Sequence, residues 1–140
     1  YQANLTYALA GSFRGDPVGL YAALRPAGAA GYGGLIFDGA HWLLSFSPEL
    51  FVALAGEEAK VKPMKGTRPR AASPEADRAA AEELAASAKD RAENLMIVDL
   101  MRNDLSRVAE AGSVRVDAPF AVESYPTVHQ MVSTVRARLS

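Results

Sequence analysis

Residues 60–78 read "KVKPMKGTRPRAASPEADR". The stretch opens on a strand-like "KVK", passes through Pro63-Met64-Lys65-Gly66-Thr67, and ends in an acidic, alanine-rich run. Ser73 suits a helix N-cap, Pro74 the first helical position, and Glu75 the favoured charge of a first turn. The chain therefore changes here from strand to helix. What lies on either side sets the class.

Upstream, "NLTYALAGSF" (4–13) alternates and predicts a strand. "GDPVGLYAALRP" predicts a short helix, capped by Asp16, with Pro17 in its first turn and Leu20 and Leu24 on one face. "AAGYGGLIFDGAHWLLSFSPELFVAL" predicts a β-meander, with strands near 32–37, 41–47 and 50–54 and a hairpin at Asp38-Gly39. "EEAKVK" extends that sheet up to the lysine segment, whose proline and glycine predict a turn. Downstream, residues 74–109 are too long for one ordinary helix, and the predicted break lies near Ser87–Asp90. In the second half, Leu95, Val98 and Arg102 share one face, and Glu93, Ile97 and Leu100 another. "SVRVDA", "FAVESY" and "TVHQMVSTVRARL" return to strands. Strands, then helices, then strands make the class α+β.

The 140 residues suit one domain, with 49% hydrophobic and 22% charged residues. A net charge of −1 gives no general attraction to nucleic acid or to an anionic membrane. The absence of cysteine excludes disulfides, thiolate chemistry and sulfur-ligated metals, and fits a reducing, cytoplasmic setting. The longest apolar runs, such as "NLMIVDLM", are too short to span a bilayer. The chain begins at Tyr1-Gln2 and stops at Ser140 just after a strand-like pattern, so both ends look cut from something longer.

Five cations, Lys60, Lys62, Lys65, Arg68 and Arg70, fall within residues 60–70. Three readings stand: a solvated turn, an anion cradle of Gly66 and Thr67 beside Lys65, or a nucleophile. The order Lys-Gly-Thr is not that of a P-loop, and no aromatic residue is interleaved for base stacking. A lysine amine is nucleophilic only when neutral, a state that neighbouring cations such as Lys62 and Arg68 would favour. Glu49, in "SFSPELF", is either a surface turn residue or a general acid/base. Glu93 either pairs with Lys89 at i−4 or serves as a hard oxygen ligand, since Mg²⁺ takes one or two carboxylates plus water and substrate oxygens. Asp99, Asn103 and Asp104 cap the helix end or pair with Arg102 or Arg107.

"SFSPELF", "KPMKGTRPR", "SAKDRAENLMIVDLMRNDLSRV" and "YPTVHQMVSTV" occur in that order, and "YQANLT" precedes them. The set resembles the chorismate-utilising enzymes, which include anthranilate, aminodeoxychorismate, isochorismate and salicylate synthases. The resemblance runs along essentially the whole chain and implies mostly antiparallel sheets in a sandwich with an outer helical layer. It makes residues 1–140 a partial chorismate-binding catalytic domain. The family's N-terminal region, and a C-terminal segment holding a second Mg²⁺ carboxylate and further substrate contacts, are absent. Little or no turnover is expected of these residues alone.

The lysine selects the branch. Anthranilate-type members carry alanine in this segment, and aminodeoxychorismate synthases carry lysine, as in "PMKGT". The resemblance implies that Lys65 adds covalently to the ring and that Glu49 is the general acid/base. It implies that Gly66 and Thr67 contact substrate and that Glu93 holds Mg²⁺. The reaction implied is amination of chorismate at carbon 4, with ammonia from a glutamine amidotransferase partner. Many anthranilate-type members have a histidine three residues before the serine of "VS", where this chain has Gln130. That histidine is tied to pyruvate elimination, so Gln130 agrees with the lysine. His129 points to the opposite strand face and does not replace it; an ordinary half-buried histidine is expected there. An anthranilate synthase component, or a non-catalytic piece of the fold, are the alternatives.

Overall fold

The computed structural model describes residues 5–28 and 31–140. Its spine is one long strand, β7 (Val128–Arg138), paired on both edges. Along one edge runs β6 (Arg115–Ser124), antiparallel, in register from Arg115↔Arg136 to Ser124↔His129. Along the other edge two strands lie end to end. β4 (Glu58–Lys62) pairs Val61 with Val135, and β5 (Met64–Pro69) pairs Met64 with Val132 and Pro69 with Val128. β3 (Leu50–Ala55) adds outside β4.

The lysine segment is therefore strand, not turn. Pro63 has no N–H to give, but its carbonyl accepts from Ser133 N at 3.1 Å, so β4 and β5 continue as one line along β7. The register slips between Met64 and Thr67, which leaves Lys65 and Gly66 together opposite Met131. This is a β-bulge, a device that bends a strand and re-aims a side chain.

The predicted meander divides as well. β1 (Gly34–Phe37) and β2 (Trp42–Ser45) form their own hairpin. Asp38 Oδ1 closes it by accepting from Ala40 N at 2.8 Å and His41 N at 2.7 Å. β2 does not pair with β3, and Pro48 stands between them without an amide to continue a ladder. Residue 4 of the strand predicted over 4–13 lies outside the described residues. Residues 5–13 form no strand, and Leu5, Tyr7 and Leu9 are exposed. A strand needs a neighbour for its backbone bonds, and no described strand lies alongside.

The predicted helix signals hold. Asp16 caps α1 (Pro17–Gly28), accepting from Val18 N at 3.1 Å and Gly19 N at 2.8 Å. Ser73 caps α2 (Pro74–Ala86) through Ala76 N. The chain breaks at Ser87, which caps α3 (Ala88–Ser106) through Asp90 N. The buried stripe of α3 is Asp90, Asn94, Val98 and Leu105, with Met101 packed beside it. It is not the face of Leu95 or that of Leu100, since both are about half exposed. Val98 and Leu105 meet Ala59, Val61, Val135 and Ala137 of the sheet. Each large side chain so buried contributes about 1.5–3 kcal/mol. Arg102 pairs with Asp99 at 2.9 Å, as expected.

α2 is tied to the sheet by Asp77. Its carboxylate accepts from Arg70 Nη2 at 2.6 Å and Ala71 N at 2.9 Å, and lies 3.0 Å from His129 Nε2. His129 is fully buried rather than half-buried, and its Nδ1 lies 2.8 Å from Ser124 Oγ. The molecule is α+β, with α2 and α3 against one face of an antiparallel sheet. No helix among the described residues is long and apolar enough to cross a membrane.

The Arg70 guanidinium, the Ala71 amide and His129 hold the Asp77 carboxyl far below its ordinary 3.8. A depressed carboxyl takes up its proton in the unfolded chain first, so stability rises with pH through that window. The contribution is complete above the ordinary value and lost as pH falls below it. Asp77→Asn should lower stability to urea at about pH 7, and its deficit should shrink toward about pH 3. A deficit that does not change with pH would show that the charge of Asp77 contributes nothing.

Candidate active site

The bulge organises the predicted residues. Lys65 sits in it, half-buried, and makes no ion pair among the described residues. Its neighbouring cations are both engaged. Lys62 Nζ lies 2.7 Å from Glu123 Oε1. Arg68 bonds Glu83 and, at 3.0 Å, Asp90 Oδ2. The two cations that the sequence offered as neighbours of Lys65 are thus each compensated by carboxylates.

Gly66 explains why the bulge lies where it does. Its φ is +90°, in the left-handed region. A Cβ there would stand 2.8 Å from Asp90 Cβ and 2.9 Å from Leu84 Cδ1. The bare backbone lets the α2–α3 junction rest directly on the lysine strand. Asp90 is buried at that contact. A hydrogen bond with Ser87, and then the Arg68 guanidinium, keep its carboxyl below the ordinary value against the opposing effect of burial.

Glu49 precedes β3, and its Oε1 accepts from Met64 N at 3.3 Å. The carboxylate is therefore held at the start of β5, one residue from Lys65, with its side chain exposed to solvent. Ser47 Oγ receives the Glu49 amide at 3.2 Å and shapes the approach. Thr67 stands opposite Gln130, and Gln130 opposite Glu123. In-register partners share a face, so these three form a row across β5, β7 and β6. His129 faces the other way, into α2, as the alternation of β7 predicts.

Glu93 lies on α3, one turn beyond Asp90, with its side chain 43% exposed. Among the described residues its one ion pair is with Lys89, at 3.8 Å. The structure thus gathers Lys65, Gly66 and Glu49 around β5 and pairs Thr67 with Gln130. Glu93 is connected to them only through its helix. Among the described residues no group of three or more metal-ligating side chains gathers. Glu93 nevertheless fits one arm of a Mg²⁺ site, being a hard, accessible oxygen donor held, among the described residues, by a long, exposed ion pair.

Sequence reasoning missed Glu123, Tyr125 and Asp90. Tyr125 Oη donates to Glu123 Oε2 at 2.8 Å, so Glu123 carries both the lysine and the phenol. Burial raises the Glu123 carboxyl, but hydrogen bonds from Lys62 and Tyr125 outweigh it and leave the group below its ordinary value. Burial, reinforced by Glu123, pushes the Tyr125 phenol up. The signal was the two-residue spacing of "ESY" just before the β7 pattern. Two clefts, of about 390 Å³ beside Asp99, Arg102 and Ser106 and about 230 Å³ beside Phe51, Val61 and Met101, lie away from all six predicted residues.

An amine, a carboxylate held at the preceding residue of its strand, and an oxygen donor on the adjoining helix suit covalent or acid/base work on a small anion. Comparison with known proteins identifies the family. The family model for chorismate binding enzyme matches residues 1–140. The chain is 50% identical over 139 residues to "Aminodeoxychorismate synthase component 1" of Klebsiella aerogenes, covering 99% of this chain and 31% of that protein. It is 51% identical to "Aminodeoxychorismate synthase" of Streptomyces pristinaespiralis, covering 100% of this chain and 20% of that one. The chain therefore spans about a third or less of the relatives it matches. Among solved structures, anthranilate synthase component I from Streptococcus pneumoniae TIGR4 superposes with a TM-score of 0.78 at 30% identity, over 91% of this chain and 27% of that one.

The contact at Gly66 generates a prediction. Gly66→Ala should cost about 2–4 kcal/mol, combining left-handed strain with overpacking against Asp90 and Leu84. Gly112→Ala, also at positive φ but facing open space, should cost only about 1 kcal/mol. Equal losses in denaturant unfolding would remove the close approach as the reason for glycine.

Proposed function

We propose, from the premise that this chain belongs to the chorismate binding enzyme family, that the protein carrying it aminates chorismate at ring carbon 4. The product is 4-amino-4-deoxychorismate, a precursor of p-aminobenzoate and folate. The observation that carries the reading is Lys65 in the bulge of "PMKGT", with the carboxylate of Glu49 held one residue away. Relatives about 50% identical, named aminodeoxychorismate synthase, support it.

Replacing a hydroxyl by an amine with retention at carbon 4 takes two displacements, each of which shifts both ring double bonds. The Lys65 amine adds at carbon 2 while the 4-hydroxyl departs, and Glu49 supplies the proton that makes it water. Ammonia then adds at carbon 4, and the lysine amine leaves carbon 2 as both ring double bonds shift back. Glu49 takes up the proton shed by the incoming nitrogen. Gly66 and Thr67 contact the substrate. Gln130 offers no imidazole to assist loss of pyruvate, so the enolpyruvyl group stays on the product. Glu93 would hold Mg²⁺, with ligands from elsewhere in the protein. When bound, the ion supplies the positive charge that binds and orients the ring carboxylate beside that glutamate. A glutamine amidotransferase subunit or domain delivers the ammonia, and the setting is the cytoplasm.

The likeness to a solved anthranilate synthase favours a second reading, in which ammonia attacks carbon 2 directly and pyruvate is lost. Lys65 and Gln130 argue against it. A product assay of the complete protein with chorismate, Mg²⁺ and ammonia separates the two. Aminodeoxychorismate without pyruvate is expected, and anthranilate with pyruvate would overturn the proposal. At low ammonia, Lys65→Ala should lose about a thousandfold in rate, roughly 4 kcal/mol of barrier. Full activity of that variant would reject the covalent role. Chorismate binding that needs Mg²⁺ and is lost in Glu93→Ala would exclude a piece of the fold that merely retains its shape.

A further inference from the structure

Two polar side chains, Asn94 and Ser133, are completely buried among the apolar groups between α3 and β7. Neither belongs to the row of predicted site residues. Asn94 Oδ1 accepts from Ser133 Oγ at 2.5 Å, and Asn94 Nδ2 donates to the Met131 carbonyl at 3.4 Å. Ser133 Oγ accepts in turn from Phe120 N at 3.0 Å, and Ser133 N donates to the Pro63 carbonyl at 3.1 Å. No buried side-chain polar atom among the described residues is left without a partner.

We infer that Asn94, acting through Ser133, is a positioning residue that fixes Glu93 relative to Lys65. The inference rests on the reading under Proposed function. Glu93 is the residue before Asn94, and Lys65 is two residues after Pro63. Two hydrogen bonds, Asn94 to Ser133 and Ser133 to Pro63, therefore connect the backbone of the metal-binding carboxylate to that of the nucleophile.

Stability alone does not call for polar atoms here. A well-packed apolar pair of the same shape serves a core equally well, because a buried hydrogen bond mainly offsets its own desolvation. An amide whose donor and acceptor are each matched to a different partner does something more. It admits one rotation and one height of the helix over the sheet, whereas Val98 and Leu105 tolerate small slides. A slip of one residue along α3 moves a side chain about 1.5 Å and turns it about 100°.

The far side of the hub is held just as firmly. Phe120 adopts a positive φ of 57°, within an irregular stretch of β6, and its amide is pinned by Ser133. The Arg91 guanidinium, three residues before Asn94 on α3, sits 4.4 Å over the Phe120 ring. α3 thus grips β7 through Asn94 and β6 through Arg91, on either side of Glu93 in sequence.

The test uses the complete protein with Asn94→Leu, similar in size and without polar atoms. Ser133→Ala and Ser133→Thr accompany it, the latter keeping the hydroxyl. Three quantities are read: the unfolding midpoint, kcat with ammonia, and the Mg²⁺ concentration that half-saturates chorismate binding by calorimetry. The calorimetry is done in a Lys65→Ala background so that no turnover intrudes. Asn94→Leu and Ser133→Ala should each raise the half-saturating Mg²⁺ and lower kcat by about tenfold or more in folded protein, the scale of an outer-sphere lesion. Ser133→Thr should restore both to within about threefold. A folded Asn94→Leu that shifts only the unfolding midpoint would overturn the inference and leave Asn94 as core. If Asn94→Leu does not fold, Ser133→Ala decides by the same two readouts. If the unaltered protein neither binds chorismate with Mg²⁺ nor makes the amino product, the functional reading fails and takes this inference with it. A normal unaltered protein with unmoved variants sinks the inference alone.

Discussion

The structure depends on a missing methyl group. At Gly66 the strand carries one residue too many for its partner, and the extra length is absorbed where two helices meet the sheet. No side chain fits there, because Asp90 and Leu84 occupy the space. The α2–α3 junction can therefore lie against the backbone itself. That contact lets Arg68 reach Glu83 and Asp90 and places Lys65 at the point where the strand bends. An ordinary strand at this position would alternate its side chains and push the helices outward. The bulge, the glycine and the buried aspartate are one arrangement seen from three sides.

Much of this was legible in the sequence wherever the signal is local. Asp16, Ser73 and Ser87 act on amides two or three residues away, so each helix start could be read from its cap. The Asp38 hairpin is local for the same reason. What was not legible depends on distant partners. Pro63 and Gly66 suggested a turn, but β7 supplies a template that straightens the segment into strand. β2 and β3 read as neighbouring strands of one meander and belong to different sheets. Residues 5–13 alternate like a strand, yet alternation specifies a face and not a neighbour. The stripe of α3 was misread because two of its buried positions are polar. Asp90 and Asn94 break an apolar pattern, and their partners, Arg68 and Ser133, lie far away in the chain.

The site shows the same division. Motifs alone single out Lys65, Glu49, Gly66, Thr67, Gln130 and Glu93 as candidates; the fold puts Lys65, Gly66 and Thr67 on β5, Glu49 just before β3, Gln130 on β7 and Glu93 on α3. The Lys62–Glu123–Tyr125 group was not, because its members look like ordinary surface charge until β4 and β6 are brought to opposite edges of β7. Position 130 depends on its neighbour in the same way. Histidine and glutamine stand next to each other there, and strand alternation alone decides which faces Thr67 and which is buried against Asp77.

The proposed chemistry turns on whether the amine in the bulge bonds to the ring. The direct measurement is to hold the complete protein with Mg²⁺, chorismate and no ammonia, trap any adduct, and locate the added mass by peptide mapping. A covalent role for Lys65 predicts an adduct on the peptide carrying it and none on the Lys65→Ala protein. An active enzyme that carries no adduct at Lys65, or carries it at Lys62, would contradict it.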